Sequence, residues 1–327
     1  PLYLAEVGGA LRFASTVPAL LAGGGIDTSI DRVALHHYLS WHAVVPPPRT
    51  ILNGVRKLPP ATVMVVERDG TRRERRWWGP DWAEHPELEN LDEAQWATLI
   101  HEALRRAVRK RMVSDVPVGV LLSGGVDSSL IVGLLAEEGQ KHLRTFSVGF
   151  EDVRGHSGDE FEFSDLVARE YGTEHTRLRV PNAELFGALT GAIDAMAEPM
   201  TSHDVVAFYL LSREVSEHVK VVQSGQGADE VLGGYDWYPP LLDVDGLGDE
   251  EYAAAFFDRS HADLLGLLNP DLRLDHDPSR AFVTSHFKRD GADRALARAL
   301  RLDTEVMLVD DPVKRVDNMT MAWGLEA

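Results

Sequence analysis

The chain contains no cysteine. This excludes disulfides, zinc–thiolate sites and a thiol nucleophile within its 327 residues. It has no apolar run near the ~20 residues that a membrane-spanning helix needs. No signal peptide is visible, although the chain starts at Pro1 without an initiator methionine. Positive charge is scarce: 33 Lys and Arg face 52 Asp and Glu, for a net charge of −19. Such an acidic balance argues against nucleic acid as a main partner and against anionic membranes. These absences make a cytoplasmic setting the default. There is also no internal repeat and no low-complexity tract. What remains is an ordinary globular composition, long enough for about two domains.

The first 80 residues pattern as short strands and one helix. Leu2–Val7 and Leu11–Ser15 read as a hairpin around Gly8-Gly9, and Val63–Glu67 with Thr71–Trp77 as another around Asp69-Gly70. A helix is expected from about Asp31 to Ser40, and Pro46-Pro47-Pro48 breaks regular structure after it. Trp77 to about Asn90 reads as a linker. Asp92 opens a long helix reaching Arg111, which ends in Arg105, Arg106, Arg109, Lys110 and Arg111. Those cations suit a helix C-terminus and solvent, or alternatively lie near nucleotide phosphates. Strands at 145–150, 175–180 and 220–223 then alternate with helices at 163–171, 183–196 and 205–215. This order predicts a parallel sheet with helices on both faces and ligands at the carboxyl ends of its strands. Residues 241–327 read as mostly helical.

Two glycine-rich strings carry the chemistry. Val116 to Leu122 is an apolar strand, and Leu130 to Leu135 continues a helix. Between them lies Ser123-Gly124-Gly125-Val126-Asp127-Ser128-Ser129. Glycines without Cβ let backbone approach a ligand, and the free N–H groups of a helix N-terminus favour an anion. Asp127 has the wrong sign for that role unless it holds a divalent cation bridging phosphates. The string lacks the Gly-Lys-Ser/Thr ending of a Walker loop and resembles the PP-loop of the ATP pyrophosphatases, which split ATP into AMP and pyrophosphate. The second string, Ser224-Gly225-Gln226-Gly227-Ala228-Asp229-Glu230, follows another short apolar strand. Asp127 and Asp229 make a plausible carboxylate pair for one Mg²⁺, which usually takes one or two protein carboxylates.

The two strings together resemble the asparagine synthetase (glutamine-hydrolysing) family. Further matching pieces are Phe146–Phe150, Ser164-Asp165, Tyr171–His175 and Val313–Ala322. The front, from Ala34 to Pro60, is similar to the end of the family's glutaminase domain. The resemblance implies an α/β, parallel-sheet PP-loop (adenine nucleotide alpha hydrolase-like) domain over 92–327. It implies a linker over 81–91 and, over 1–80, the C-terminal remnant of an Ntn-type α+β glutaminase domain. The family's N-terminal cysteine nucleophile has no counterpart here. The family's Arg-Val-Pro-Phe-Leu-Asp continuation and a late catalytic lysine would lie beyond Ala327. An internal piece of a longer enzyme, inactive alone, is therefore expected.

The resemblance also implies roles. Ser123, Gly124, Gly125, Asp127 and Ser128 would hold the phosphates of ATP, with Mg²⁺ on Asp127 and Asp229. Leu122, Val148 and Gly149 would line the adenosine pocket, with Ser224 and Gly225 beside the ribose and α-phosphate. Glutamine-derived ammonia would then displace AMP from an activated carboxylate. The family usually has an acid where this chain has Gln226, and an amide cannot take a proton as a carboxylate does. With Trp41–Pro46 and Glu198–Asp204, Gln226 makes the chain similar to the N-acetylglutaminylglutamine amide synthetases, which form an osmoprotectant. The acceptor is then that dipeptide or aspartate. Glu198, His203 and Asp204 are acceptor-contact candidates, or else a capped helix start. His36 and His37 read as structural. The oligomeric state is open, with a homodimer compatible. Competing readings are a β-lactam-synthetase-like ligase and a nucleotide-binding relative without catalysis.

Overall fold

The computed structural model describes residues 1–83, 85–151, 161–200 and 204–327. The chain folds as two compact units. One comprises residues 1–84, 196–201 and 229–314; the other comprises 85–195, 202–228 and 315–327.

In the first unit, β1 (Tyr3–Val7) and β2 (Ala10–Ala14) form the expected hairpin, with Val7 opposite Ala10. Gly8 and Gly9 both take positive φ, which the tight two-residue turn requires. The short β3 (Arg56–Lys57) joins β1 on its other side. The second hairpin pairs β4 (Thr62–Val66) with β5 (Arg72–Arg76). The helix Arg32–Ser40 starts one residue after Asp31, whose carboxylate accepts from the amides of Val33 and Ala34. A five-residue helix, Val17–Leu21, escaped the sequence reading because one turn and a half is too short to display a 3.6 period. Residues 229–314 supply helices Asp249–Phe256, Pro278–Phe287 and Ala295–Leu302. They bury Tyr252, Val283, Phe287 and Leu302 together with Trp41. After Leu302 the helix widens into π turns, Asp303–Met307 and Val309–Val313. Pro312, which has no amide hydrogen, sits inside the second of these.

The second unit is a parallel four-stranded sheet in the order β8-β7-β6-β9. Its strands are β6 (Val118–Leu121), β7 (Arg144–Phe150), β8 (Glu174–Val180) and β9 (Val221–Gln223). The expected alternation holds, with helices Val126–Glu137, Phe161–Tyr171, Asn182–Ala195 and Asp204–Ser216. The long helix Glu93–Arg111 begins at a capping box made by Asp92 and Gln95. Side chains along β6 alternate between faces. Val120 and Leu122 pack with Val108, Val132 and Leu135; Leu121 packs with Phe146, Val215 and Val222. All four residues of β6 are buried, as a central strand covered on both faces requires. Among the described residues, no helix is long and apolar enough to cross a membrane.

Candidate nucleotide-binding site

The turn after β6 is built from serine hydroxyls and glycine backbone. Gly124 takes φ +89°, and a Cβ there would lie 2.5 Å from the Cβ of Phe163 and 2.6 Å from the amide of Ser164. Only glycine lets the loop pass this close to the helix Phe161–Tyr171. The Ser123 amide donates to Ser128 Oγ over 3.2 Å, and the two hydroxyls lie 3.0 Å apart. Ser128 Oγ donates to the Gly125 carbonyl over 3.3 Å, while the Gly125 amide donates to Ser123 Oγ over 3.2 Å. The loop is thus cross-braced by Ser123 and Ser128. Gly125 is the N-cap of Val126–Glu137 and supplies no side-chain cap at the positive helix end, the end that favours an anion.

The second string meets the first within the same unit. A Cβ at Gly225 would lie 3.1 Å from both the Asp127 Cβ and the Ser128 amide. Glycine is what allows the backbone after β9 to touch the helical turn carrying Asp127. Ser224 Oγ accepts from the Gln226 amide over 3.3 Å, and Gln226 is exposed. Val148 and Gly149 lie on β7 near its carboxyl end. The Leu122 side chain is only 1% exposed and sits in the core. Asp229 belongs to the other unit, where a Cβ at Gly234 would fall 2.1 Å from its Oδ1. Its neighbour Glu230 is fully buried and accepts a 2.8 Å hydrogen bond from the Tyr235 hydroxyl. Burial pushes the Glu230 carboxyl up, more than that hydrogen bond pulls it down. Asp127 and Asp229 offer hard oxygen ligands, the donor type Mg²⁺ takes. Among the described residues, no cluster of three or more His, Asp or Glu is arranged to hold a metal.

The secondary candidates fare differently. Glu198 is no exposed acceptor contact. It is buried, and its Oε2 receives Lys57 Nζ at 3.0 Å, Lys314 Nζ at 3.1 Å and the Tyr3 hydroxyl at 3.0 Å. Asp204 opens the helix Asp204–Ser216 and lies 3.6 Å from Arg315, whereas His203 lies outside the described residues. Arg105 pairs with Glu138 at 2.7 Å, which ties two helices together. His36 and His37 are buried, and both Nδ1 atoms meet Ser279 Oγ, at 2.9 and 3.0 Å. Missed by the sequence reading were Lys57, Asp310 and Lys314; the segments around Lys57 and Lys314 matched, but their charges looked ordinary.

Residues 99–327 match the asparagine synthase family, and residues 1–78 match a glutamine amidotransferase domain. The chain belongs to the asparagine synthase family. It is 32% identical over 244 residues to asparagine synthetase [glutamine-hydrolyzing] 1 of Bacillus subtilis, covering 75% of this chain and 37% of that protein. It is 35% identical over 248 residues to a putative asparagine synthetase [glutamine-hydrolyzing] of Mycobacterium bovis, with the same coverage. Asparagine synthetase [glutamine-hydrolyzing] 3 of Bacillus subtilis is 26% identical over 249 residues, 73% of this chain and 40% of that protein. The chain therefore matches well under half the length of these relatives. Its architecture is an asparagine synthase domain, mixed α/β with a parallel sheet, together with a glutamine amidotransferase domain.

Proposed function

We propose that the chain carries the adenylating site of a glutamine-dependent, ATP-consuming amide synthetase. In this reading a substrate carboxylate attacks the α-phosphorus of ATP, and pyrophosphate leaves. Ammonia derived from glutamine then displaces AMP to give the amide. The first step needs charge stabilisation on the departing pyrophosphate rather than covalent help. The cross-braced loop Ser123–Ser128 supplies it through backbone amides and hydroxyls. Asp127 and Asp229 would hold Mg²⁺, which neutralises phosphate charge when bound. Ser224 and Gly225 would lie along the ribose and α-phosphate, with Leu122, Val148 and Gly149 at the adenosine. Residues 1–80 are read as the end of an Ntn-type glutaminase domain, 81–91 as a linker and 92–327 as the synthetase domain. The observation that carries the proposal is the approach of Gly225 to Asp127 and Ser128, which joins both sequence strings at one helix N-terminus.

For the acceptor we favour N-acetylglutaminylglutamine over aspartate. Gln226 supports this: a carboxamide both donates and accepts, so it pairs with an amide-bearing acceptor, whereas a carboxylate only accepts. The test, in the full-length protein, is AMP release from ATP with each acceptor, together with ATP–pyrophosphate exchange. Asp127→Ala is expected to abolish exchange; an unchanged rate would remove Asp127 from the metal site. Gln226→Glu is expected to shift acceptor choice or amidation, and a variant identical to wild type with both acceptors would remove Gln226 from acceptor recognition.

A further inference from the structure

Ser147 and His175 have no role in the reading above, yet they converge on one peptide unit of the phosphate loop. The peptide joining Leu122 to Ser123 is the hinge between β6 and that loop. Its carbonyl accepts a hydrogen bond from Ser147 Oγ, and its amide donates to Ser128 Oγ over 3.2 Å. Leu122, Ser128 and Ser147 are all buried, at 1%, 5% and 4% exposure. The Leu122 amide is already committed to the Phe146 carbonyl at 2.8 Å. The plane of the next peptide is therefore set by two side chains, one on each edge.

The hydrogen bonds behind Ser147 have a fixed direction. A carbonyl can only accept, so the single Ser147 proton points at Leu122. Ser147 Oγ must then accept from His175 Nε2, 3.4 Å away. With its proton on Nε2, neutral His175 accepts at Nδ1 from Thr145 Oγ1 over 2.8 Å. Thr145 Oγ1 in turn accepts from Thr173 Oγ1 over 2.8 Å. Each donor polarises the next in a buried chain of this kind. Asp165 Oδ1, 3.7 Å from His175 Nε2, is held by Arg177 at 2.8 Å. Threonines, histidine and serine from β7, β8 and the turn before β8 thus end on the peptide that opens the loop.

We propose that Ser147, oriented by His175, is a positioning residue for the phosphate loop: it fixes the plane of the Leu122–Ser123 peptide and so the loop's affinity for the triphosphate of ATP. This rests on the nucleotide reading of the loop. A tilted peptide would swing the Ser123 amide away from Ser128 and loosen the brace, while the adenosine contacts on β7 would stay in place. Loss of phosphate affinity with retained nucleoside monophosphate affinity is its signature.

The test is calorimetric titration of the full-length protein with ATP and with AMP, each with Mg²⁺. Loss of one buried hydrogen bond converts to about three- to tenfold in affinity. Ser147→Ala is expected to weaken ATP by about that factor and to leave AMP unchanged, and Ser147→Thr, which keeps the hydroxyl, to restore most of it. His175→Ala is expected to weaken ATP in the same selective way, and it carries the test if Ser147→Ala does not fold. Equal losses for ATP and AMP, or no loss in either variant, would overturn the proposal while leaving the nucleotide site standing. A wild-type chain that binds neither nucleotide would refute the nucleotide reading itself, and this inference with it.

Discussion

Lys57→Met tests the buried ionic cluster of the first unit. Lys57 Nζ is 2.6 Å from the Val45 carbonyl, 3.0 Å from Glu198 Oε2 and 2.7 Å from Asp310 Oδ1, and its side chain is 1% exposed. Lys314 Nζ reaches the same two carboxylates at 3.1 and 3.4 Å. Two cations thus balance two anions out of reach of water. Burial pushes the Glu198 carboxyl up, but Lys57 and Lys314 outweigh it and hold the group below the usual carboxylate range. Methionine keeps the apolar stem and removes the charge, leaving two carboxylates to share one lysine. Removing one partner of a buried pair costs ~3–5 kcal/mol, mostly because the remaining charge is uncompensated. Lys57→Met is therefore expected to lose ~3–5 kcal/mol at pH 7 in urea unfolding, read from the midpoint at constant slope. Adding Glu198→Gln removes the uncompensated anion, so the double variant should be less destabilised than the sum of the singles by ~1–3 kcal/mol. Additive losses, or a Lys57→Met midpoint within error of wild type, would refute the compensation argument.

Acid should destabilise the chain from the histidine range downward. Burial depresses His37 to about 3 and also lowers His36 and His286, so each folds neutral and resists the proton that the unfolded chain takes. Stability is then full above the ordinary histidine value and declines as pH falls below it. His37 alone is worth ~2 kcal/mol by pH 5; a His37 ring titrating near its ordinary value by NMR would overturn this. The Glu198 contribution behaves likewise at lower pH, present above the ordinary glutamate range and lost as pH falls below it toward the depressed folded value, so the decline of the urea midpoints should steepen there. Gly124→Ala combines a positive-φ penalty with a Cβ driven into Phe163 and Ser164. It should cost ~2–5 kcal/mol in urea unfolding and abolish ATP binding, and a stable variant with wild-type affinity would contradict the close approach.

The fold of the second unit was legible because its signals are local. Val118–Leu122 is apolar at every position, Asp92 stands three residues before Gln95, and glycines punctuate both functional turns, so strands, caps and loops fall within a residue or two of expectation. The first unit was less legible. Trp41 packs against Phe256 and Phe282 with ring centroids 6.3 and 5.6 Å apart, a core assembled from segments that periodicity alone cannot connect. Glu198 illustrates the same limit for charge. Beside Pro199 it reads as a helix cap or a substrate contact. Its actual partners lie 141 and 116 residues away in sequence, and no property of a single lysine announces that it will be buried.

The phosphate loop shows why legibility of a motif is not legibility of its support. Ser123, Gly124, Gly125 and Ser128 could be read directly, because each does its work within the loop or against the adjoining helix. Ser147 could not, since its residue type on a strand fits a half-buried position equally well without any role. What distinguishes it is the parallel register that puts Phe146 opposite Leu121. That pairing carries Ser147 to the level of the Leu122 carbonyl and sets His175, directly across from Thr145, behind it. A one-residue slip would turn Ser147 to the other face of the sheet and leave the loop braced from Ser128 alone. Sheet register, rather than any residue in the motif, therefore decides how rigid this loop can be.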